Sequence, residues 1–194
     1  MPLPDSVMQA SGAAACAAEL LAPSRGTIIT EKQFSEERSV EEEELRVGVF
    51  VCNCGKNIAG VVDVADVTRY AANLGNVVVN VDNLYSCSQD TQELIKETVI
   101  REKLNRVVVA ACTPRTHEPL FQETIREAGL NRCLFEMVNI RDQCSWVHAH
   151  EKEEATQKAK DLVRMAVAKA RYIEALSEPI INVIPKALVI GGGL

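Results

Sequence analysis

Five of the seven cysteines of this chain follow short apolar segments and could together bind a soft metal ion or cluster. These are Cys52, Cys54, Cys87, Cys112 and Cys144. Thiolates favour zinc, copper(I) and iron–sulfur clusters over harder ions. The spacing differs from the compact C-x2-C-x2-C of bacterial ferredoxins and from the paired C-x2-C of zinc ribbons. A site made from these residues would therefore be assembled by the fold and not by a single loop.

The elements that must position the cysteines alternate between apolar runs and amphipathic stretches. We predict strands at residues 46–52, 76–81, 106–111 and 132–138, and helices at residues 63–74, 89–103 and 116–128. Continuous apolar strands that alternate with helices are typical of a parallel sheet joined by right-handed crossovers. The predicted fold is α/β, a Rossmann-like sheet of about four strands with helices on both faces.

The loops that leave the carboxyl ends of parallel strands lie along one edge of the sheet. The five cysteines lie at such ends or just after them, so we expect them to converge there. A single cysteine in an apolar strand is explained equally well as a small buried hydrophobic residue, but the set favours metal or cluster binding. Cys16 and Cys133 lie elsewhere and are predicted to be packing residues.

Several polar residues are predicted near the same edge, where they could donate hydrogen bonds to cluster sulfurs. They are Asn53, Lys56, Asn57, Ser86, Ser88, Thr113 and Thr116. For Ser88 and Thr113, helix capping and turn formation are equally good explanations. Arg115 and His117 could add charge at the site or lie on the surface. His148 and His150 are two residues apart on a predicted helix, so they face different sides and are poor joint ligands.

Charge and composition exclude some partners. The formal net charge is −6 and there is no basic cluster, which argues against nucleic-acid binding. No basic segment precedes an apolar run at the N-terminus, and no run of about 18 apolar residues occurs, so neither a secretory signal nor a membrane span is predicted. We expect a cytoplasmic protein, in which cysteines more often serve metal binding, redox chemistry or burial than disulfide bonds.

The predicted organisation has five parts. They are a small-residue helix at 1–22, an acidic linker at 23–45 that could include a short strand at 27–30, an α/β domain at 46–150, a connecting helix at 151–179 and a strand that leads to Gly191 and Gly193 at 180–194. The helical pattern that supplies the connecting helix extends over 142–176, and its interleaved charges are typical of a solvated face.

Four stretches of this sequence are specific enough to compare with a known family. They are VGVFVCNCGKNIAGVVDV, DNLYSCSQDTQELIKE, LNRVVVAACTPRTHEPLFQETIREAGLN and LFEMVNIRDQCSWVHAHE. With these motifs the chain resembles the heterodisulfide reductase A-subunit family over residues 45–194. The resemblance implies an iron–sulfur flavoprotein, methanogenesis-related, that passes electrons toward a heterodisulfide of coenzymes M and B or related acceptors. It also implies an N-terminal 4Fe–4S domain ahead of an FAD domain. The implied partners are other heterodisulfide reductase-like subunits and iron–sulfur or hydrogenase-type electron donors.

The resemblance also suggests which residues hold the cofactors. Four of the five cysteines would ligate the cluster, and Cys54, Cys87, Cys112 and Cys144 are favoured. Cys52 still belongs to a strand, whereas Cys54 precedes Gly55, where the backbone can approach a bulky cluster. Gly191 and Gly193 would open the G-x-G-x-x-G fingerprint of the FAD domain, which is incomplete here, so this chain is not expected to bind FAD itself.

Residues 1–22 resemble the last helix of the family's flavin domain. In an intact family member that helix follows the cluster domain, so its position here suggests either a tandem fusion or a truncated reading frame. Without the flavin domain as a packing partner, the helix is expected to be loosely held.

The sequence is compatible with three functions. The leading prediction is an electron-transfer iron–sulfur module of an oxidoreductase, with no catalytic residue in this segment, which is not expected to be catalytic alone. The alternative is a structural zinc site in a Rossmann-like interaction module without redox activity, which iron analysis would distinguish. A thiol–disulfide enzyme that uses Cys52 and Cys54 is weaker, because the one-residue spacing lacks the C-x-x-C arrangement that lowers a thiol pKa.

Overall fold

The computed structural model describes residues 3–27, 29 and 32–188. It contains two compact units, Met1–Gln33 and Phe34–Leu194. The first unit consists mainly of helix α1 (Leu3–Leu21), followed by one 3-10 turn at Ala22–Ser24. No residue of α1 is buried. The short strand predicted at 27–30 falls partly outside the described residues, and Thr27 itself lies in a turn.

The second unit contains a four-stranded sheet in the order β2-β1-β3-β4, in which every pairing is parallel. The strands are β1 (Val47–Cys52), β2 (Val77–Asn83), β3 (Arg106–Ala111) and β4 (Phe135–Asn139). Every residue of the two central strands, β1 and β3, is buried. Since successive side chains point to opposite faces, this burial shows that both faces of the sheet are covered. The predicted α/β fold is confirmed.

The helices of this unit are α2 (Lys56–Ala59), α3 (Val64–Ala71), α4 (Gln89–Arg101), α5 (Pro114–Glu127) and α6 (Lys152–Ala170). Four of them form two pairs, α3 with α6 and α4 with α5. Two of them begin where side chains cap them: Asp63 Oδ1 accepts from the Asp66 N–H at 2.9 Å, and Ser88 Oγ accepts from the Thr91 N–H at 3.4 Å. These caps satisfy backbone donors that have no partner inside the helix.

The helix predicted over 142–176 is wrong in its extent. A π-helical turn, Arg141–Ser145, and further turns precede α6, which occupies only Lys152–Ala170. Asn139 explains the difference, because its Oδ1 accepts from the backbone N–H groups of Arg141 and Asp142 and starts a separate turn. Similarly, Asn131 Oδ1 accepts from the Cys133 N–H at 2.9 Å. This keeps Cys133 in a turn, and β4 begins later than predicted.

The acidic segment within the second unit contacts the loops of the sheet. The Arg38 N–H donates to the Gly129 carbonyl at 2.9 Å, and Val40 is buried. Asn131 Nδ2 donates to Glu37 Oε1 at 2.8 Å, and Asn105 Nδ2 donates to the Glu44 carbonyl at 2.7 Å. Two asparagine side chains therefore hold part of a segment that its composition alone had suggested to be a linker.

Residues 180–188 contain no helix or strand, and Gly191 and Gly193 lie outside the described residues. The FAD fingerprint therefore stays a prediction. In the described ranges, no helix has the length and apolar character needed to cross a bilayer.

Candidate metal centre

The thiol of Cys52 is held against the loop that follows β2. Cys52 is the last residue of β1 and is buried. The backbone N–H of Ser86 donates to its Sγ at 3.3 Å. A hydrogen bond from a backbone amide favours the negatively charged form of a sulfur atom, as iron–sulfur and zinc sites require.

Cys54 lies in a tight loop between β1 and α2. Its φ of +44° and the φ of +54° at Gly55 place both residues in the left-handed region. A Cβ atom added at Gly55 would lie 2.8 Å from the hydroxyl oxygen of Tyr85. Gly55 therefore permits a close approach that another residue would block, and it lets the chain turn so that Cys54 lies beside the loop after β2.

Cys87 and Cys112 complete a group of four thiols. Burial is the main cause that raises the pKa of Cys112, and the negative charges of Cys54, Cys52 and Cys87 raise it further, while Arg141 opposes them. The pKa of Cys87 is raised by desolvation first and then by Cys52 and Cys54. Each of these thiols is thus close enough to the others for their charges to interact. The structure brings Cys52, Cys54, Cys87 and Cys112 together at the carboxyl edge.

Cys144 has a different environment. It is fully buried, and its thiol donates to the Ala155 carbonyl at 3.0 Å. Burial raises its pKa, with only Lys158 acting in the opposite direction and no contribution from another cysteine. Its thiol therefore joins the π turn to α6, and the structure does not bring it together with the other four. Cys16 is exposed on α1 and Cys133 is half-buried.

Arg141 is part of the site but was not singled out from the sequence. Its Nε donates to Asp142 Oδ1 at 2.8 Å, and its guanidinium lies 4.8 Å from the centroid of the Trp146 ring. The pKa of Arg141 is raised, first by the hydrogen bond with Asp142 and also by one to Cys54 and by the charge of Cys112. An Arg-Asp pair directly after the last strand, at the ligand-binding edge, was the available signal in the sequence.

The chain is similar in sequence to several known proteins. No protein-family model matches the chain. The chain is 56% identical over 153 residues to a heterodisulfide reductase A-subunit-like protein of Archaeoglobus profundus. It is 58% identical over 153 residues to the second iron–sulfur A-subunit of the CoB–CoM heterodisulfide reductase of Methanopyrus kandleri. It is 56% identical over 162 residues to the A-subunit of the H2:CoB–CoM heterodisulfide, ferredoxin reductase of Methanothermobacter thermautotrophicus. These matches cover 79%, 79% and 83% of this chain.

Over most of its length the chain is similar to one part of heterodisulfide reductase A subunits. It spans only 22%, 23% and 25% of the length of these relatives. The family resemblance expected from the sequence is confirmed, and the relatives are oxidoreductases.

Two buried polar atoms at the carboxyl edge of the sheet have no hydrogen-bond partner among the described residues. They are Ser86 Oγ and Asn83 Nδ2. Asn83 is the last residue of β2, and Ser86 lies in the loop that follows it. The backbone N–H of Ser86 already donates to the sulfur of Cys52. A buried donor without a partner costs about 1–3 kcal/mol, so a group that accepts from it at this edge would relieve that cost. The sulfide and thiolate sulfurs of an iron–sulfur cluster are acceptors of this kind.

The other polar residues that were predicted near the site have diverse contacts. Asn53 Nδ2 donates to the Asn83 carbonyl at 3.1 Å, and the Asn57 carbonyl accepts from Ser145 Oγ at 2.5 Å. Ser88 caps α4, and the side chain of Thr113 makes no capping bond to α5. Three more residues, Lys56, Arg115 and Thr116, are exposed, and His117 is half-buried.

A second group of potential ligands lies at the start of α6. His148 Nδ1 lies 2.9 Å from Glu151 Oε2 and 4.0 Å from Glu154 Oε2. The other ring nitrogen of His148 lies 3.3 Å from the ammonium nitrogen of Lys158. A cation here would be repelled by that charge, and the two glutamates are exposed. His150 is exposed and belongs to no such group in the described part of the chain.

Proposed function

We propose that Cys52, Cys54, Cys87 and Cys112 bind a 4Fe–4S cluster and that this domain transfers electrons in a heterodisulfide reductase-type oxidoreductase. The observation that carries the proposal is the grouping of four thiols, from the ends of three neighbouring parallel strands, at one edge of the sheet. Four cysteine ligands are what a 4Fe–4S cluster requires. Cys52 takes the place of Cys144 in the set that the sequence favoured, because the thiol of Cys144 is occupied by the Ala155 carbonyl.

The unpartnered donors beside the thiols favour a cluster over a single zinc ion. A zinc ion bound by four thiolates has no sulfur atoms other than those of its ligands. A 4Fe–4S cluster adds four sulfide atoms, which can accept hydrogen bonds from Ser86 Oγ and Asn83 Nδ2.

When bound, the cluster would accept and release single electrons. The residues of this chain would hold it, exclude water from part of it and set its potential. Cys52 and Cys112 come from buried strand ends, whereas Cys54 is half-buried and Cys87 is exposed. One side of the site therefore faces solvent, where a neighbouring redox group can approach, and the other is bounded by the apolar core.

A second part of the proposal concerns the intact protein, its electron-transfer partners and its flavin. Relatives are named for H2, for ferredoxin and for the CoB–CoM heterodisulfide. We propose that electrons pass through this domain between such donors and an FAD held elsewhere in the intact cytoplasmic protein, with Gly191 and Gly193 as the start of the FAD-binding fingerprint. The zinc-binding interaction module remains the alternative.

Metal analysis of the 194-residue chain tests the proposal. After anaerobic reconstitution we expect about four irons and four acid-labile sulfides per chain. Cys144→Ser keeps a donor to Ala155 and serves as the matched control, so it should retain the iron that Cys52→Ser loses. About one zinc per chain without sulfide would establish the alternative instead. Iron loss in Cys144→Ser together with retention in Cys52→Ser would restore the ligand set that the sequence favoured.

A further inference from the structure

The backbone of Arg141 is fixed where β4 leaves the sheet. Asn139 is buried, and its Oδ1 accepts from the Arg141 N–H at 3.1 Å and from the Asp142 N–H at 2.9 Å. The Ile140 N–H donates to the Ala111 carbonyl at 2.9 Å, directly before Cys112 in the chain. Arg141 therefore starts from a position that is tied to the strand end bearing Cys112.

The guanidinium of Arg141 is also held on two sides. Asp142 accepts from Nε at 2.8 Å, and the ring of Trp146 lies beneath it at 4.8 Å. The side chain of Arg141 is 22% exposed. A guanidinium carries five donors in one plane and remains charged at all relevant pH values. One donor is used by Asp142, and the positive charge interacts with Cys54 and with Cys112, whose strand end accepts from the Ile140 N–H.

Reduction of a cluster adds one negative charge to it, so a fixed positive charge nearby stabilises the reduced form more than the oxidised form. Because the guanidinium is partly buried, solvent screens this effect less than at an open surface. We propose that Arg141 raises the reduction potential of the cluster by holding its charge beside Cys54 and Cys112, and that Asp142 offsets part of that charge. The inference rests on the proposed cluster and deepens it.

The test is a redox titration of the reconstituted chain, followed by the EPR signal of the reduced cluster. Arg141→Gln should lower the one-electron reduction constant about tenfold, equivalent to about 59 mV. Arg141→Lys keeps the charge and should shift the potential less. Asp142→Asn keeps an oxygen that can accept from Arg141 but removes the opposing charge, so it should shift the potential upward.

Arg164 provides the matched control. It lies on α6 with a 55% exposed side chain and forms an ion pair with Asp161 at 3.2 Å. Arg164→Gln changes the net charge as Arg141→Gln does and should leave the potential unchanged. If Arg141→Gln and Arg164→Gln shifted the potential by the same amount, the cause would be the net charge of the chain, and the inference would be overturned.

Arg141→Gln and Asp142→Asn should shift the reduction potential in opposite directions, and this distinguishes an electrostatic role of Arg141 from a purely structural one. If Arg141 only stabilised the turn, Arg141→Gln and Asp142→Asn would alter the potential in the same direction or not at all, and the inference would be wrong. Should Arg141→Gln fail to retain iron, Arg141→Lys and Asp142→Asn still carry the test. A wild-type chain that binds no iron would overturn the proposed function and this inference together, whereas a wild-type cluster with an unresponsive potential would overturn this inference alone.

Discussion

Cys112 and Cys144 follow adjacent parallel strands of the same sheet, yet their thiols have different roles. Cys112 lies among three other cysteines and beside Arg141, and its thiol has no hydrogen bond among those found in the described residues. Cys144 donates to the Ala155 carbonyl inside the contact between the π turn and α6. One environment leaves a thiol available as a ligand, and the other uses it as a hydrogen-bond donor. Position at the carboxyl edge is therefore not enough to make a cysteine a ligand.

Removal of a ligand gives the largest effect that this comparison predicts. Cys112→Ala should reduce the bound iron from about four per chain to nearly none, because the three remaining thiols cannot complete the set of four cysteine ligands. Cys144→Ala should leave iron and sulfide unchanged. Colorimetric iron and sulfide analysis after anaerobic reconstitution measures both, and equal losses in the two variants would remove the distinction between the two cysteines.

The fold was more predictable than the choice of ligands. Apolar runs such as VVV in β2 and β3 and alternating helices follow periodic patterns, and those patterns predicted the four strands and their carboxyl edge. The ligand set depends on side-chain hydrogen bonds between distant segments. Cys144 bonds to Ala155, 11 residues along, and no local pattern encodes that contact.

Asn139 and Asn131 show the same limit at the level of secondary structure. Each accepts backbone N–H groups from the next few residues and so opens a turn where the residue pattern had suggested a helix or a strand. Asparagine is common in turns for this reason, but the pattern does not tell which asparagine will act in this way. Arg141 was missed because an arginine beside an aspartate usually indicates a surface ion pair.

The second-largest expected effect is on the stability of the metal-free chain, and here Cys144 matters more than Cys112. Cys144→Ala removes a buried hydrogen bond and leaves the Ala155 carbonyl without its thiol donor, so the free energy of unfolding of the metal-free chain should fall by about 1–3 kcal/mol. Cys144→Ser should recover part of that loss. Chemical denaturation under reducing, metal-free conditions measures it, and a stability equal to that of the wild type would show that the Cys144 contact is unimportant.

The pH response of the two thiols should also differ. Burial raises the pKa of both above the ordinary value of 9.0, but of these two thiols only Cys112 has this rise opposed by the charge of Arg141. A thiol with a raised pKa stabilises the folded state fully below the ordinary thiol pKa, and this contribution is lost as the pH rises through the raised value. In the metal-free chain, Arg141→Gln should raise the titration midpoint of Cys112 further and leave that of Cys144 unchanged. Titration of the 13Cβ resonances measures this, and a parallel shift of both would contradict the assigned positions.

The smallest expected effect distinguishes two buried serines at the same edge. Ser145 Oγ donates to the Asn57 carbonyl, whereas Ser86 Oγ has no partner among the described residues. In the metal-free chain, Ser145→Ala should cost about 1 kcal/mol, while Ser86→Ala should cost nothing and should relieve the penalty of a buried hydroxyl without a partner. Chemical denaturation of the two variants measures the difference.

With the cluster bound, Ser86→Ala should have a larger effect on the reduction potential than Ser145→Ala, the reverse of their order in the stability measurement. A donor to cluster sulfur stabilises the reduced form, so Ser86→Ala should lower the potential while Ser145→Ala leaves it nearly unchanged. A buried hydroxyl without a partner does not stabilise the metal-free fold, so its presence is explained by the group that it contacts when the cluster is bound. If Ser86→Ala altered neither the potential nor the stability, the hydroxyl of Ser86 would not be a donor to the cluster.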